Sequence, residues 1–347
     1  MKTKVAINGL GRIGRMCLRA SLENENLEVV AINGTTSAET AAHLLKYDSV
    51  HGKLAQCIEA TEREIRIDGR SITYLSDRNP ANLPWGKLGV DVVIEATGKF
   101  NSGKECDVHI KNGAKKVVIT APAKDQIPTL VMGVNESIYN PTLHHVVSNA
   151  SCTTNCLAPV VKVLHDHFGI VNGLMSTVHA FTTDQRSLDN SHKDPRRSRS
   201  CVQSIVPTTT GAAKAIGLVI PELKGKLNGI SLRVPVVNVS LTDLVVELQK
   251  DITAEQVNRV LADAAKGPLK GILSYCDKAL VSVDFLGDPH SSIVDGLSTM
   301  VIDERKVKVL AWYDNEWGYS CRVIDLVNYI GERLKQGGDA AKRKAVG

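Results

Sequence analysis

The sequence lacks several features that would assign it to a membrane or to an oxidising compartment. No run of about 18 consecutive apolar residues occurs, and such a run is what a membrane-spanning helix requires. A strand-like segment, KVAIN, begins at Lys4, so no signal or transit peptide is expected. The eight cysteines are scattered without the density of a disulfide scaffold, which predicts free thiols and a cytoplasmic location.

The chain also lacks a large excess of charge of one sign. With 42 Lys and Arg against 37 Asp and Glu, the formal net charge of +5 is mild and does not by itself indicate nucleic-acid binding. The most basic segment, HKDPRRSRS at 192–200, contains no aromatic side chain that could stack on a base. The pattern therefore favours phosphate-bearing substrates and subunit contacts, and nucleic acid is not expected as the main partner.

The two halves of the chain have different patterns. Up to residue 150, continuous apolar strands alternate with helical segments, which predicts an α/β domain with a parallel sheet covered on both faces. A helix predicted over 151–168 then leads into long β-rich segments, which indicate an α+β domain at 151–317 with a mostly antiparallel sheet. Helical periodicity returns at 318–334, and 335–347 is predicted to be a disordered tail.

A glycine motif, G-x-G-x-x-G, directly follows the first strand and opens a helix. Gly9 permits the tight turn, Gly11 lets a pyrophosphate approach the backbone, and Gly14 allows close packing of the helix. The motif alone is weak, and a glycine-rich turn without a ligand is the alternative. Its place at the start of a β-α-β unit favours a dinucleotide-binding (Rossmann) domain at 1–150.

The end of the second strand lacks the acid that commonly binds the ribose of NAD. No carboxylate occurs between Glu28 and Glu39, where the sequence reads AINGTTS from Ala31. One interpretation is that another part of the fold holds the ribose. The other is that the 2′-phosphate of NADP is tolerated, although no Arg or Lys between Ala31 and Leu45 is available to pair with it.

The pair Cys152 and Cys156 has three possible interpretations: a buried pair, a metal site or a nucleophile. The C-x-x-x-C spacing is unlike that of zinc sites and no second pair lies nearby, so no metal is expected. If Ser151 caps a helix, Cys152 lies in its first turn, where the helix dipole favours a thiolate. His179, at the end of an apolar strand, is the candidate base, although a lone histidine there is more often a core residue.

Two further groups of residues are suited to phosphate. The segment PTTTG at 207–211 collects hydroxyl groups on a flexible backbone. Arg197 and Arg233 supply fork-shaped donors that match phosphate oxygens.

Taken together, six segments resemble the phosphorylating glyceraldehyde-3-phosphate dehydrogenases. These segments occur in order between about residues 3 and 334, and the most specific of them contains SCTTNC. They are INGLGRIGR, SNASCTTNCLAP, TVHAFTTDQ, PTTTGAAKA, LKGKLNGISLRVP and WYDNEWGYS. The resemblance implies a homotetramer of subunits with a Rossmann and a catalytic domain, the helix at 318–334 joining the first.

The same resemblance implies the activity and the residues that carry it. Cys152 would attack the aldehyde of glyceraldehyde 3-phosphate, His179 would act as base, and inorganic phosphate would cleave the thioester to give 1,3-bisphosphoglycerate. The residues implied for substrate and phosphate are Ser151, Thr153, Thr182, Arg197, Thr210, Gly211 and Arg233. Those assigned to the cofactor are Gly9, Gly11, Arg12, Ile13, Gly14, Gly34, Thr35, Arg78, Thr97, Thr120, Ser191 and Asn315.

The sequence departs from the commonest family pattern where cofactor choice is decided. Many members carry Asp at the position of Gly34 and Pro at that of Ser191. The chain is similar to plastid-type, NADP-using members at Ser191, and around AINGTTSAETAAHLLKYD it resembles a bacterial NADP-using, gluconeogenic-type branch. Use of NADP at least as well as NAD is therefore predicted. Pro195 and the pair Val236 and Val237 also depart from the pattern, with no predicted consequence.

Two alternatives remain open at this point. Erythrose-4-phosphate dehydrogenase shares the fold and the nucleophile, and phosphate-independent formation of an acid would distinguish it. A non-catalytic binding or scaffold protein is the second alternative, against which the complete set of Cys152, His179, Arg197 and Arg233 argues.

Overall fold

A computed structural model describes residues 2–346 of the chain, with side chains described for residues 2–336. The chain forms two compact units and passes from the first to the second between Ala150 and Ser151. The first unit comprises the chain up to Leu130, Glu136–Ala150 and the chain from Ser320 onward, and the second comprises Val131–Asn135 and Ser151–Tyr319. Val131–Asn135, predicted in the first domain, belongs to the second unit because Gly133 packs closely against Ile272 and Leu269.

The first unit contains a sheet of parallel strands with helices between them. Its elements are β1 (Thr3–Asn8), α1 (Arg12–Ser21), β2 (Leu27–Asn33), α2 (Ala38–Lys46), β3 (Tyr47–Asp48), β4 (Gly52–Lys53), β5 (Ile58–Thr61), β6 (Glu64–Ile67), β7 (Arg70–Leu75), β8 (Val92–Glu95), α3 (Gly103–Lys111), β9 (Lys116–Ile119) and β10 (Val146–Ser148). The sheet has the strand order β10-β9-β8-β1-β2-β7-β6-β5, parallel from β10 to β7 and antiparallel beyond.

These strands are buried, which accounts for the continuous apolar runs from which they were predicted. Every residue of β8, β9 and β10 is buried, as expected for strands covered on both faces. β1 lies between β2 and β8, so the chain leaves β1 on one side and later returns on the other. The carboxyl ends of these strands meet at one edge, where open α/β sheets bind their ligands. The prediction of a Rossmann domain is confirmed.

The second unit is built on a mixed sheet. Its elements are α4 (Cys152–Phe168), β11 (Ile170–Ala180), β12 (Val206–Thr209), α5 (Ala212–Val219), β13 (Leu227–Val234), β14 (Ser240–Leu248), α6 (Ala254–Lys266), β15 (Leu273–Cys276), β16 (Ser292–Ile302) and β17 (Lys306–Tyr313). The strand order is β12-β13-β11-β14-β17-β16-β15. Within this sheet only β11–β13 and β15–β16 are parallel pairs, so the predicted mostly antiparallel sheet is confirmed.

The last helix, α7 (Trp317–Val346), extends beyond the predicted end at residue 334. Val323, Val327 and Ile330 are completely buried along one face, as the periodicity predicted. The described backbone continues as helix from Lys335 to Val346, and the disordered tail expected at 335–347 stays a prediction. Gly347 lies outside the described residues. Among the described residues, no helix combines the length and apolarity needed to span a membrane.

Candidate active site

The glycine motif of the first unit forms a tight turn between β1 and α1. Gly9 has a φ of +98°, and a Cβ atom there would lie 2.7 Å from the backbone nitrogen of Thr97. A Cβ atom at Gly14 would lie 2.0 Å from the carbonyl oxygen of Gly9, so the packing of α1 also demands glycine. At Gly11, the residue that precedes α1, a Cβ atom would meet no protein atom within 4 Å. The backbone at Gly11 is therefore open to close approach, which fits a pyrophosphate.

This turn borders a cavity of about 290 Å³ at the carboxyl ends of β1, β2, β7 and β8. Six residues predicted for the cofactor line it: Gly9, Gly11, Gly34, Thr35, Arg78 and Thr97. Nine further residues line it that were not predicted as cofactor residues: Asn8, Leu10, Asn33, Thr36, Asp77, Pro80, Ala96, Lys99 and Phe100. Two cations therefore face this cavity with one acid, and the carboxylate of Asp77 already accepts hydrogen bonds from Asn79 and Asn82. The lining suits an anionic dinucleotide.

The other residues predicted for the cofactor lie elsewhere. Arg12 forms an ion pair with Asp48, and the Thr120 hydroxyl donates to the Glu95 carbonyl oxygen at 3.0 Å. Gly14 packs beneath the turn, and Ile13 is half-buried in α1. Ser191 and Asn315 belong to the second unit.

A buried polar network, which the sequence analysis missed, supports the cavity wall. Glu95, 1% exposed at the end of β8, accepts hydrogen bonds from Asn8 Nδ2 at 2.6 Å and from the Thr97 backbone at 2.9 Å. Trp85 Nε1 donates to His109 Nδ1 at 2.9 Å, so Nδ1 is the acceptor, and His109 Nε2 donates to Glu95 at 3.2 Å. The sequence feature that could have indicated this network is Glu95 within the strand-like segment DVVIEATG. A carboxylate buried in a strand requires hydrogen-bond donors around it.

In the second unit, α4 carries Cys152 as its first residue. The Ser151 hydroxyl accepts a hydrogen bond from the Thr154 backbone at 3.1 Å and caps the helix, as predicted. His179, 3% exposed, lies at the end of β11, where Ala180 follows it. Cys152 Sγ lies 3.5 Å from His179 Nε2, so the fold joins the two residues that the sequence could only propose as partners.

Three groups surround the imidazole of His179. Its Nδ1 lies 2.6 Å from the Ala180 carbonyl oxygen and 2.7 Å from Nη1 of Arg233, the residue paired with His179 on β13. The Tyr313 ring packs edge-on against it, with ring centroids 5.9 Å apart. Burial, together with the positive charge of Arg233, lowers the pKa of His179 to about 3. The imidazole is therefore neutral at physiological pH and available as a base.

The helix position predicted a thiolate at Cys152, and opposing effects act on that thiol in the structure. Burial raises the pKa of the Cys152 thiol, while Arg233 and hydrogen bonds from Thr153 oppose that increase. Burial is the largest of these effects and disfavours the charged form, and the thiolate expected from the helix start stays a prediction. Cys156 is completely buried one turn later, and burial raises its pKa to about 12.

The residues predicted to bind phosphate are in part occupied by protein contacts. Arg197 forms ion pairs with Asp184 and Asp194, and its side chain is 22% exposed. The Thr153 hydroxyl bonds to Tyr313 Oη at 2.9 Å and its side chain is buried. By contrast, a Cβ atom at Gly211 would meet nothing within 4 Å, and Gly211 precedes α5. Thr182 and Thr210 are half-buried on the loops beside β11 and β12.

Tyr313 is the positioning residue that sequence reasoning missed. Its hydroxyl lies 2.9 Å from the hydroxyls of both Thr153 and Thr177, so it connects the start of α4 with β11. Asn315 is linked to the same region, because Ser240 Oγ donates to its side chain at 2.7 Å and accepts from the Ala180 backbone at 3.1 Å. Tyr313 lies in the segment WYDNEWGYS, which was quoted for the family resemblance. The letters of that segment do not indicate which hydroxyls Tyr313 contacts.

The loop at 182–203 contains the basic segment at 192–200, for which phosphate-bearing substrates and subunit contacts were predicted. In the single chain it is closed by its own hydrogen bonds: the Ser191 carbonyl oxygen accepts from Arg186, and the Cys201 backbone donates to the Arg186 carbonyl oxygen at 2.8 Å. Ser200 Oγ donates to the Ser187 carbonyl oxygen at 2.7 Å. Among the described residues, no group of three or more His, Cys, Asp or Glu side chains is arranged to hold a metal ion.

The fold and the two sites define a dinucleotide-binding protein with a thiol–imidazole pair in its second unit. Family models match both parts: the glyceraldehyde 3-phosphate dehydrogenase NAD binding domain matches residues 3–103, and the C-terminal domain of the same enzyme matches residues 151–315. The chain belongs to the glyceraldehyde-3-phosphate dehydrogenase family.

Curated relatives of that name are similar over almost the whole chain. Glyceraldehyde-3-phosphate dehydrogenase 2 of Bacillus subtilis (strain 168) is 57% identical over 96% of this chain and 98% of its own length. The Geobacillus stearothermophilus enzyme is 57% identical over 96% of this chain and 99% of its own. The Streptomyces coelicolor enzyme is 56% identical over 96% and 100%.

Proposed function

We propose that this protein catalyses the reversible, phosphorylating oxidation of D-glyceraldehyde 3-phosphate to 1,3-bisphosphoglycerate with NAD(P) as oxidant. The observation that carries the proposal is the 3.5 Å contact between Cys152 Sγ and His179 Nε2, with Arg233 beside the imidazole. A thiol next to a neutral base is a nucleophile that can add to an aldehyde. Membership of the family supports the substrate.

The first step is addition of the Cys152 sulfur to the aldehyde carbon. The S–C bond forms as the carbonyl π bond breaks, and the thiol proton passes to His179 Nε2. Because burial raises the pKa of the thiol, proton removal and addition are expected to occur together rather than through a resting thiolate. The product is a hemithioacetal oxyanion beside the protonated imidazole, and return of the proton from His179 to that oxygen would give the neutral hemithioacetal.

The tautomer of His179 decides which direction the proton moves. When Nδ1–H donates to the Ala180 carbonyl oxygen, Nε2 has a free lone pair and acts as the base. When Nδ1 instead accepts from Arg233, Nε2 carries the proton and donates toward sulfur or the substrate oxygen. Arg233 therefore favours return of the proton, consistent with its lowering of the His179 pKa.

Arg233 and Arg197 are proposed to hold the anionic oxygens of the substrate and of the attacking phosphate. Arg233 Nε is buried without a hydrogen-bond partner, so the guanidinium retains a donor for a ligand. Arg197 would exchange part of its ion pairing with Asp184 for a phosphate oxygen. We propose that these sites are completed by Ser151, Thr182, Thr210 and the Gly211 backbone. The Thr153 hydroxyl is already bonded to Tyr313, so Thr153 would contribute its backbone instead.

The dinucleotide is proposed to bind in the cavity of the first unit. Gly9, Gly11 and the start of α1 would hold the pyrophosphate, while Arg78, Thr97 and Lys99 line the remainder. When bound, the dinucleotide supplies the oxidant that converts the thiol-bound adduct into a thioester. We further propose that NADP is used at least as well as NAD, because neither Gly34 nor Thr35 places an acid against the 2′-phosphate.

An assay of aldehyde oxidation with and without inorganic phosphate tests the reaction. Purified protein should reduce NADP or NAD with glyceraldehyde 3-phosphate continuously only when phosphate is present, and 1,3-bisphosphoglycerate should accumulate. Phosphate-independent acid formation from erythrose 4-phosphate would instead support the alternative dehydrogenase. The ratio of the initial rates with NADP and NAD tests cofactor use.

A homotetramer is proposed as the assembly, supported by an exposed apolar row on the second sheet. Leu174 on β11 lies directly opposite Val245 on β14, and their side chains are 68% and 39% exposed. On β17 the next position is the charged Lys308, and beyond it on β16 lies the apolar Met300, which is 55% exposed. A second copy of the chain would cover such a face. Leu174→Asp should shift the mass in light scattering toward monomer or dimer, whereas Leu143→Asp, at an exposed leucine of the first unit, should not.

A cytoplasmic location is proposed on the state of the thiols. The eight cysteines all lie among the described residues and none of them forms a disulfide, which is the usual arrangement in a reducing compartment.

A further inference from the structure

The absence of a side chain at position 34 has a structural cause that is independent of any cofactor. Its φ is not in the left-handed region, so the backbone conformation itself would accept other residues. A Cβ atom at this position would, however, lie 2.3 Å from Oη and 3.1 Å from Cζ of Tyr74. Separations of that size exclude a side chain unless Tyr74 moves.

Tyr74 is held firmly in the place that it occupies. It lies on β7, pairs with Ile32 of the neighbouring β2, and is 4% exposed. Its hydroxyl donates a hydrogen bond to the Thr36 carbonyl oxygen at 2.9 Å, and its backbone nitrogen donates to the Arg63 carbonyl oxygen at 2.9 Å. The ring therefore both fills the space beside Gly34 and fixes the turn that follows β2.

That turn contributes directly to the dinucleotide cavity. Gly34, Thr35 and Thr36 all line it, and the two threonines directly follow Gly34 and carry hydroxyl groups. An acid at position 34 would project from this same turn. The ring of Tyr74 lies where that acid's Cβ would have to pass.

We propose that Tyr74 is a specificity-determining residue for the dinucleotide, acting through Gly34 and Thr36. It keeps an acidic side chain out of the end of β2, and it holds the Thr35–Thr36 turn in the form that receives the 2′-phosphate of NADP. The proposal rests on the proposed use of the dinucleotide cavity. Tyr74 itself does not line that cavity, so it is a positioning residue.

The first test is a double-mutant cycle on positions 34 and 74, read by dissociation constants for NADPH and NADH and by melting temperature. Gly34→Asp alone should lower the melting temperature by about 2 °C or more and weaken binding of both nucleotides, because the carboxylate cannot enter its place. Gly34→Asp with Tyr74→Leu should recover that loss relative to Tyr74→Leu alone. It should also shift the ratio of the two constants toward NADH by about tenfold or more.

Tyr74→Phe separates the hydroxyl from the ring. Loss of the hydrogen bond to the Thr36 carbonyl oxygen should raise the dissociation constant of NADPH by about threefold to tenfold, with a smaller change for NADH. An equal change for both nucleotides would show that the hydroxyl has only a structural role and would overturn that half of the proposal.

The second unit offers a matched control. A Cβ atom at Gly296 would lie 2.1 Å from Oη of Tyr275, the same kind of glycine–tyrosine contact outside the first unit. Gly296→Asp and its combination with Tyr275→Leu should change the melting temperature in the same pattern but leave the NADPH to NADH ratio as in the wild type.

The outcomes separate this proposal from the proposed function. If Gly34→Asp alone shifts the ratio as far as the double variant does, without a fall in melting temperature, Tyr74 is not the determinant. If wild-type protein binds NADH much more tightly than NADPH while the two positions remain coupled, the proposed cofactor preference fails and the role of Tyr74 in excluding an acid stands.

Discussion

In the first unit the candidate site depends on glycines, which have no side chain. In the second unit the candidate site depends on side chains that come from separate helices and strands. Gly9 and Gly14 leave no room for a Cβ atom, and Gly11 leaves the backbone open. The thiol site instead combines Cys152 from α4 with His179 from β11, and Arg233 from β13 completes it. The first site should therefore be sensitive to added atoms, and the second to removed functional groups.

The same contrast exists within one helix. Cys152 and Cys156 are one turn apart on α4, but Cys152 contacts the base His179, and the charge of Arg233 lowers the pKa of its thiol. Cys156 lies at 3.5 Å from the hydroxyls of Thr242 and Ser292, where its pKa is raised to about 12. Reactivity is thus decided by what a side chain faces rather than by its position in the sequence motif.

The largest effect is expected from Cys152→Ser. A hydroxyl is a much poorer nucleophile at neutral pH, so phosphorylating oxidation should fall to background while circular dichroism stays unchanged. Cys156→Ser is the control on the same helix and should retain turnover with some loss of stability. Normal activity in the Cys152→Ser protein would exclude the covalent mechanism.

Replacement of the base should cost less than replacement of the nucleophile. His179→Asn should lower kcat by roughly 10²–10⁴-fold, the usual contribution of a positioned acid–base group. His43→Asn, at an exposed histidine of α2, should leave kcat unchanged. A fall below threefold at His179 would assign the proton transfer to another group.

Arg233 should affect both the thiol and the phosphates. Burial raises the pKa of the Cys152 thiol, so alkylation by iodoacetamide should accelerate roughly tenfold per pH unit above neutrality instead of levelling off. Arg233 opposes that increase, so Arg233→Leu should slow alkylation at a fixed pH and raise the KM for phosphate or glyceraldehyde 3-phosphate.

Arg233→Lys serves as the partial replacement. It should recover most of the alkylation rate, which depends on charge, but less of the KM, which depends on the fork geometry. Faster alkylation in Arg233→Leu would reverse the sign assigned to this charge.

The smallest effects, on stability and on nucleotide binding, should come from a pair of alanine substitutions in the glycine turn. Gly14→Ala places an atom 2.0 Å from the Gly9 carbonyl oxygen and should lower the free energy of unfolding by about 1–3 kcal/mol. Gly11→Ala meets no protein atom and should change it by about 0.5 kcal/mol or less, yet weaken NADPH binding. Urea unfolding and nucleotide titration of both variants measure the difference, and equal stability losses would contradict the geometry of the turn.

Features with a local physical cause could be predicted from the sequence. The turn at Gly9, the cap at Ser151 and the buried face of α7 each follow from a few neighbouring residues. Features whose cause is distant along the chain could not be predicted in this way. The thiolate expected at Cys152 from its place in α4 took no account of the burial that raises the pKa of this thiol.

The absence of an acid at position 34 was seen in the sequence, but the structure supplies a cause other than the one first inferred. The missing acid was correctly noted, and its interpretation as tolerance of a phosphate used only the neighbouring sequence. Tyr74, 40 residues later on the adjacent strand, supplies a steric reason that no local pattern contains. Tyr313 and Glu95 escaped notice for the same reason, since their importance lies in contacts with residues far away in the chain.

The sequence by itself therefore determined the fold class of both units, the glycine turn, the capped helix that carries Cys152 and the family to which the chain belongs. Strand periodicity, helix caps and glycine spacing act over a few residues, so they can be recognised without coordinates. Only the tertiary structure decided that His179 faces Cys152, that Arg233 lowers the pKa of that imidazole, and that Tyr74 closes the space beside Gly34. Desolvation and steric exclusion depend on which distant strands become neighbours, and that pairing is a property of the folded chain.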